Sequence, residues 1–343
     1  MNLSDIPGIK TPVIQAPMAG VQDWELAVAV SEAGGLGSIP CGMLSHEQIV
    51  SEIESFRSHS NRPYNLNFFT HDMPETDVAA LKRWETLLRP YFESWSVIPP
   101  EQVSGLRLPF DRSIADLIEP YKPPVISFHF GLPEPGLVSR IKSWGTVIMS
   151  SATTVAEGLW LESHGADIVI AQGNEAGGHR AMFLTDDINT QLPTRELVTA
   201  LTGQLPVPVI AAGGLAGKQD IYDVMQLGAS GAQLGTAYLL CREAKTTRLH
   251  REALKSVDAP TALTNVFSGR PARGITNRLM LEIGPVSEAA PEFPYASVAL
   301  APLRKAAEAS GLTDFTPLWS GTNRSGCREI SAGELTLELW DNG

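Results

Sequence analysis

Eight short apolar runs, each followed by a stretch with helical signals, recur between residues 13 and 235, and no other feature narrows the fold as far. The runs lie at 13–18, 35–39, 64–68, 125–129, 146–150, 168–172, 207–212 and 231–235. Several are continuously apolar instead of alternating, as expected of parallel strands covered on both faces. The stretches between them carry helix-boundary chemistry. Asp23 opens a segment running to Glu32, with Gly34 and Gly35 after its end, and Ser45 stands three residues before Gln48 in capping-box spacing. The segments 153–164 and 219–227 each end at a glycine, Gly165 and Gly228. Eight such β-α units predict an α/β chain built as a (β/α)8 TIM barrel and fit it better than a doubly wound sheet.

Two segments fall outside the repeat. Residues 70–123 separate the third and fourth strands and contain Pro99-Pro100 and Pro123-Pro124, while 241–314 follow the eighth strand and carry helical patterns such as 299–309. The expected organisation is a barrel of residues 1–240, with 315–343 returning to it, and a mainly helical substrate or lid segment at 241–314. Insertions at the catalytic end of a barrel build lids and pockets, or act as stabilising appendages.

Charge excludes some functions. The chain has 26 basic and 38 acidic residues, a net charge of −12, and no dense Lys/Arg run, so nucleic acid is not an expected partner. No run of 18 apolar residues is present, so no membrane span is expected. The opening residues lack a basic stretch followed by an apolar one, which points to the cytoplasm. Cys41, Cys241 and Cys327 are odd in number and far apart, and are read as small buried hydrophobes instead of disulfide or zinc partners. The histidines show no metal-ligand spacing, so no metal site is expected.

In a barrel of this type the chemistry sits at the C-terminal strand ends. After the seventh strand come Gly213 and Gly214, and after the eighth Gln233, Gly235 and Thr236. Loops in these two places often cradle a phosphate with backbone N–H groups, because glycine lets the backbone approach an anion and a hydroxyl adds a donor. Gln172 ends the sixth strand, offering donor and acceptor to a heteroaromatic edge, and the loop after it contains Gly177, His179 and Arg180. His179 and Arg180 either face a phosphate or pair with Glu175 as a structural lock. His129 ends the fourth strand between Phe128 and Phe130, where it is either a core histidine or a proton-transfer group. Asn67, near the end of the third strand, has an amide suited to a ring edge.

These pieces together resemble the flavin-dependent nitronate monooxygenases, formerly 2-nitropropane dioxygenases, and look most like their class I bacterial members. The matching segments are 16–20 (APMAG), 127–131 (SFHFG), 151–157 (SATTVAE), 172–180 (QGNEAGGHR), 211–214 (AAGG), 233–236 (QLGT) and 267–274 (FSGRPARG). The resemblance implies a non-covalent FMN in the barrel mouth. Pro17, Met18 and Ala19 would line the flavin ring and Asn67 would hydrogen-bond it. Gln172 and Gly177 would touch the ring or ribityl chain, and Gly213, Gly214, Gln233, Gly235 and Thr236 would hold the phosphate. Trp319-Ser320-Gly321 resembles the family's closing segment, although 321–324 (GTNR) departs from the usual Gly-Gln form.

The implied reaction is oxidation of an alkyl nitronate, propionate 3-nitronate by family likeness, with O2 to a carbonyl compound and nitrite. FMN supplies the redox chemistry. His129 would remove the α-proton of a neutral nitroalkane, or hold the nitro oxygens of a nitronate, with His179 as a rival. The alternative of the same flavin class is an FMN-dependent NAD(P)H:quinone or enoyl-thioester reductase; a flavin-free sugar-phosphate barrel and a non-catalytic flavin binder are the others. Monomer and homodimer are both open.

Overall fold

The computed structural model describes residues 3–340 apart from 101, 104 and 257, so the outermost residues assigned to the barrel, 1–2 and 341–343, lie outside the described residues. The strands are β1 (Val13–Gln15), β2 (Gly37–Pro40), β3 (Tyr64–Phe69), β4 (Val125–His129), β5 (Val147–Ala152), β6 (Ile168–Gln172), β7 (Gly178–His179), β8 (Val209–Ala212), β9 (Gly231–Leu234), β10 (Thr261–Thr264) and β11 (Ala272–Ile275). The helices are α1 (Trp24–Glu32), α2 (His46–His59), α3 (Val78–Trp95), α4 (Arg112–Ile118), α5 (Pro135–Ser143), α6 (Val155–Ser163), α7 (Thr194–Thr202), α8 (Lys218–Gln226), α9 (Arg248–Lys255), α10 (Arg278–Ile283), α11 (Ala296–Ala309) and α12 (Ala332–Leu339).

Eight strands lie side by side in the order β1-β9-β8-β6-β5-β4-β3-β2, all neighbours parallel. A parallel bridge between Ile14 and Leu36 joins the two ends and closes the barrel. All eight expected strands are present, each followed by helix on the outside. Ile14, Leu36, Met149, Ile168, Ile170 and Ile210 fill the interior, and Leu3, Ile6 and Ile9 plug its N-terminal end. Stacked branched side chains make that half a packed core, which leaves the opposite mouth for chemistry. No helix of the described residues is long and apolar enough to cross a membrane.

Local chemistry sets the boundaries. Asp23 caps α1 by accepting from Glu25 N–H, and the Ser45/Gln48 capping box opens α2. β1 stops at Gln15, short of the expected residue 18, because Pro17 has no N–H for the ladder and the Met18 N–H goes to Gln22 Oε1 at 2.9 Å.

The two segments outside the repeat pack together. Trp84, Leu88 and Phe92 of α3 join Leu300, Leu303 and Ala307 of α11 in a hydrophobic core separate from the barrel's. The 241–314 region also holds an antiparallel hairpin, β10–β11, that the sequence pattern did not announce. β11 pairs in turn with β7, so this outer lobe is stitched to the loop that follows β6. The chain then returns through residues 315–340, and α12 packs on α1 and α8, with Tyr238 Oη and Thr336 Oγ1 hydrogen-bonded at 2.9 Å.

Candidate active site

The loop after β1 is held from inside. Gln15 Nε2 donates to Gln22 Oε1 at 2.7 Å, and the same oxygen accepts the Met18 N–H, so Pro17, Met18 and Ala19 are fixed at the mouth by a glutamine pair. Asn67 lies beside them on β3. Its Nδ2 donates to the carbonyl (3.2 Å) and hydroxyl (2.9 Å) of Ser127, which leaves Oδ1 for a ligand. Toward any ligand the amide has only its oxygen to offer, as an acceptor.

Loops after β8 and β9 form a small cradle. Gly213 and Gly214 have φ of +114° and +69°, a left-handed region that glycine enters without cost. A Cβ on Gly213 would lie 2.9 Å from Ala176 N and from Thr194 Oγ1, so side chains are excluded there as well. Across the cradle, a Cβ on Gly235 would touch Ala16 Cβ at 3.4 Å and Met18 Sδ at 3.6 Å. The N–H groups of Gly214 and Gly235 make no hydrogen bond among the described residues. Gln233 Oε1 is buried with no partner. Unpaired backbone donors in two neighbouring strand-end loops suit an anion, and the orphaned amide oxygen marks a place for a ligand donor.

The C-terminal segment closes this cradle. Gly321 N–H donates to Thr236 Oγ1 at 2.9 Å, Thr322 N–H to the Glu175 carbonyl at 3.0 Å, and Asn323 Nδ2 to the Gly214 carbonyl at 3.1 Å. Accepting from Gly321 leaves the Thr236 hydroxyl proton free to point elsewhere. Gly177 is packed so closely that a Cβ would sit 2.4 Å from Gly321 N. Gly177, Gly213, Gly214, Gly235 and Thr236 thus surround one space, and the departure at 321–324 has not removed that segment from it.

Gln172 is largely engaged by its own loop, with Nε2 donating to the His179 carbonyl and Oε1 accepting from Ala181 N–H, each at 2.9 Å. Arg180 is a lock of a different kind from a Glu175 pair. It is 1% exposed, and its guanidinium donates to the carbonyls of Gln172 (2.6 Å) and Gly173 (2.5 Å) and to Gln191 Oε1 (2.9 Å). Glu175 instead accepts from the N–H and hydroxyl of Thr194 at 2.8 and 2.7 Å. Neither residue of this lock faces a phosphate.

His129 stands at the end of β4, two residues beyond Ser127 and on the same face. Its Nε2 pairs with the His179 carbonyl at 3.1 Å. A carbonyl only accepts, so Nε2 carries the proton and Nδ1 keeps its lone pair, with no hydrogen-bond partner among the described residues. Burial pulls the His129 pKa down to about 4; the His179 carbonyl opposes this and the Arg180 and Arg270 charges add to it. The ring is neutral at pH 7. His179 turns to Ser268 Oγ at 2.9 Å and is held well below the ordinary histidine value by burial, then by Arg107.

Several side chains at this mouth escaped sequence reasoning. His71, Phe293, Trp319, Arg107 and Arg270 come from segments with no periodic pattern. Only Arg270, inside the 267–274 motif, and Trp319, in the closing segment, had a signal. Phe130 has φ +74°, unusual for a bulky residue, and its ring lies 4.6 Å from His129 and 5.6 Å from Phe293. The three cysteines are free thiols, and burial pushes Cys241 up to about 12 and Cys327 up to about 11.

These features define a class: a (β/α)8 barrel with a glycine-walled anion cradle and a histidine-bearing aromatic pocket at the C-terminal strand ends. The sequence matches the family described as Nitronate monooxygenase over residues 1–342, and the chain belongs to that family and is an oxidoreductase. A nitronate monooxygenase of Pseudomonas aeruginosa is 38% identical over 336 residues, covering 97% of this chain and 96% of the relative. One from Paraburkholderia phytofirmans is 37% identical, with 97% and 92% covered. Among solved structures, a nitroalkane oxidase from Streptomyces ansochromogenes is 34% identical with a TM-score of 0.87, covering 98% of this chain and 96% of that one. FabK from Thermotoga maritima, 22% identical over 98% of this chain and 94% of its own at a TM-score of 0.70, shares the fold.

Proposed function

We propose that this protein is an FMN-dependent nitronate monooxygenase of the cytoplasm that converts alkyl nitronates, propionate 3-nitronate among them, with O2 to a carbonyl compound and nitrite. In this reading the barrel (1–240 and 315–343) binds the cofactor and 241–314 completes the substrate side. FMN fits the residues present. Gly213, Gly214, Gly235 and Thr236 offer free donors to a phosphate, Gly177 and Gln233 line the way to the ring, and Pro17, Met18, Ala19, Asn67 and Gln172 edge the ring's place. When bound, the flavin supplies the redox chemistry between nitronate and O2.

The observation that carries the reading is the unpartnered Nδ1 of a neutral His129 at the mouth of a barrel of this family. A nitronate is already a stabilised carbanion and needs no base. A neutral nitroalkane does, and Nδ1 is the atom to take its α-proton, while the His179 carbonyl steadies the imidazolium that results. A neutral ring whose Nε2–H is occupied has no donor for nitro oxygens.

Purified protein is expected to be yellow, with a band near 450 nm that a nitronate bleaches anaerobically and NADH does not. Rapid bleaching by NADH alone would move the assignment to an FMN-dependent quinone or enoyl-thioester reductase, and protein that takes up no FMN would sink both. Gly213→Ala is expected to weaken FMN binding at least about tenfold, because the new Cβ meets Ala176 and strains a left-handed turn. Titration of apoprotein with FMN checks this, with circular dichroism as the control for folding.

A further inference from the structure

The pocket beside His129 holds two arginines that oxidation of a plain alkyl nitronate does not require. Arg107 comes from the loop ahead of α4, and Arg270 from the turn joining β10 to β11. The Arg270 guanidinium lies 4.4 Å from the Phe130 ring centre and that of Arg107 5.8 Å from Phe293. Those rings are 5.6 Å apart, so both cations stand on one aromatic wall.

Neither is neutralised. Asp72, Asp186, Glu157 and Glu292 are within electrostatic reach of Arg270, yet none forms an ion pair with it among the described residues. The charge felt by Arg107 is another cation, Arg304. Arg270 Nη1 is buried without a hydrogen-bond partner, and so are both ring nitrogens of His71. The His71 ring sits 4.7 Å from Phe293 and 6.1 Å from Phe130, on the same wall. Burial and the Arg270 charge hold it down to about 4, so it stays a neutral donor and acceptor.

Half-buried guanidinium groups without an ion-pair partner are costly to keep unless something arrives to pair with them. Their planar fork matches a carboxylate with two parallel N–H···O bonds. We infer that Arg107 and Arg270, with His71 beside them, form a carboxylate subsite next to His129 and are the residues by which this chain selects nitronates carrying a second anionic group. The inference rests on the nitronate reading, for which it supplies the selecting residues. An alkyl tail in the same place leaves both cations partly desolvated and without a partner for the tail end, so the penalty on uncharged tails is part of the selection.

The test compares two nitronates of similar length on the holoenzyme, those of 3-nitropropionate and 1-nitrobutane, by oxygen consumption. Wild type is expected to favour the first through KM. Arg270→Gln and Arg107→Gln should each lower that preference about 10- to 100-fold, and Arg270→Lys, which keeps the charge but not the fork, should restore only part. Calorimetry of 3-nitropropionate itself on the flavin-loaded proteins gives a readout independent of turnover, with binding weakened to the same extent. An unchanged preference in both glutamine variants, in folded and flavin-replete protein, overturns the subsite. If wild type oxidises neither nitronate while 3-nitropropionate binds and Arg270→Gln abolishes that binding, the subsite stands and the oxidation reading fails.

Discussion

His129→Asn is expected to lower turnover of neutral nitroalkanes by about 100- to 10,000-fold, the range a positioned general base supplies, while nitronate turnover falls far less. The contrast follows from chemistry. Only the neutral substrate must lose a proton, and Nδ1 of His129 is a free lone pair whose partner nitrogen is tied to the His179 carbonyl. Because burial keeps the ring neutral down to about pH 4, the acid limb of kcat/KM for nitroalkanes should lie near there and not at 6.5. Initial rates with both substrates between pH 4 and 8 check each part. Equal losses on nitronate and nitroalkane would remove His129 from proton transfer, and an acid limb at 6.5 would show that water reaches the ring freely.

A second large effect is expected in stability. His71 and His250 are buried and held neutral down to about pH 4, mainly by burial, and the less buried His129 behaves alike. In the unfolded chain these rings take up protons near pH 6.5. Between the two values the unfolded state binds more protons than the folded one, so stability is complete above about pH 6.5 and is lost as pH falls toward 4. Each fully buried ring accounts for about 3 kcal/mol of this loss, and His129 for less because it is partly open to water. A total of several kcal/mol is a large share of the roughly 5–15 kcal/mol that holds a domain folded. Urea unfolding at pH 7.5, 6 and 5 measures it. His71→Phe, which removes the imidazole and keeps an aromatic ring of similar size, should flatten the pH dependence; an unaltered slope would refute the argument.

The barrel was legible because parallel strands buried on both faces must be apolar throughout, and runs such as 147–150 and 168–171 have no other use. The helix starts at Asp23 and Ser45 were legible because their side chains satisfy the first free N–H groups, which is local chemistry. β7, β10 and β11 were not legible. They are two to four residues long; β7 and β11 include glycines and Arg273, and β7 exists only because it pairs with β11 across about 90 positions of chain, while β10 and β11 form a short hairpin. In the site, glycines and His129 announced themselves by strand-end position. Arg107 did not, because its loop has no period and acquires meaning only when Phe293, far along the chain, lies beneath it. Gln172 and Arg180 were visible as residues, but their bonds to the carbonyls of their own loop depend on a turn that the sequence does not spell out.

The segment 319–323 has a consequence for how the protein matures. It supplies the last wall of the glycine cradle, yet it is synthesised after every other wall. All eight barrel strands precede it in the chain, so each has left the ribosome before this wall exists. If the mouth takes FMN as proposed, loading closes biogenesis and does not nucleate it. Chains cut short before Gly321 would lose that wall together with α12, whose Ala332, Leu335 and Leu339 sit in the barrel's own core, so the open mouth and a weakened barrel would come as one defect.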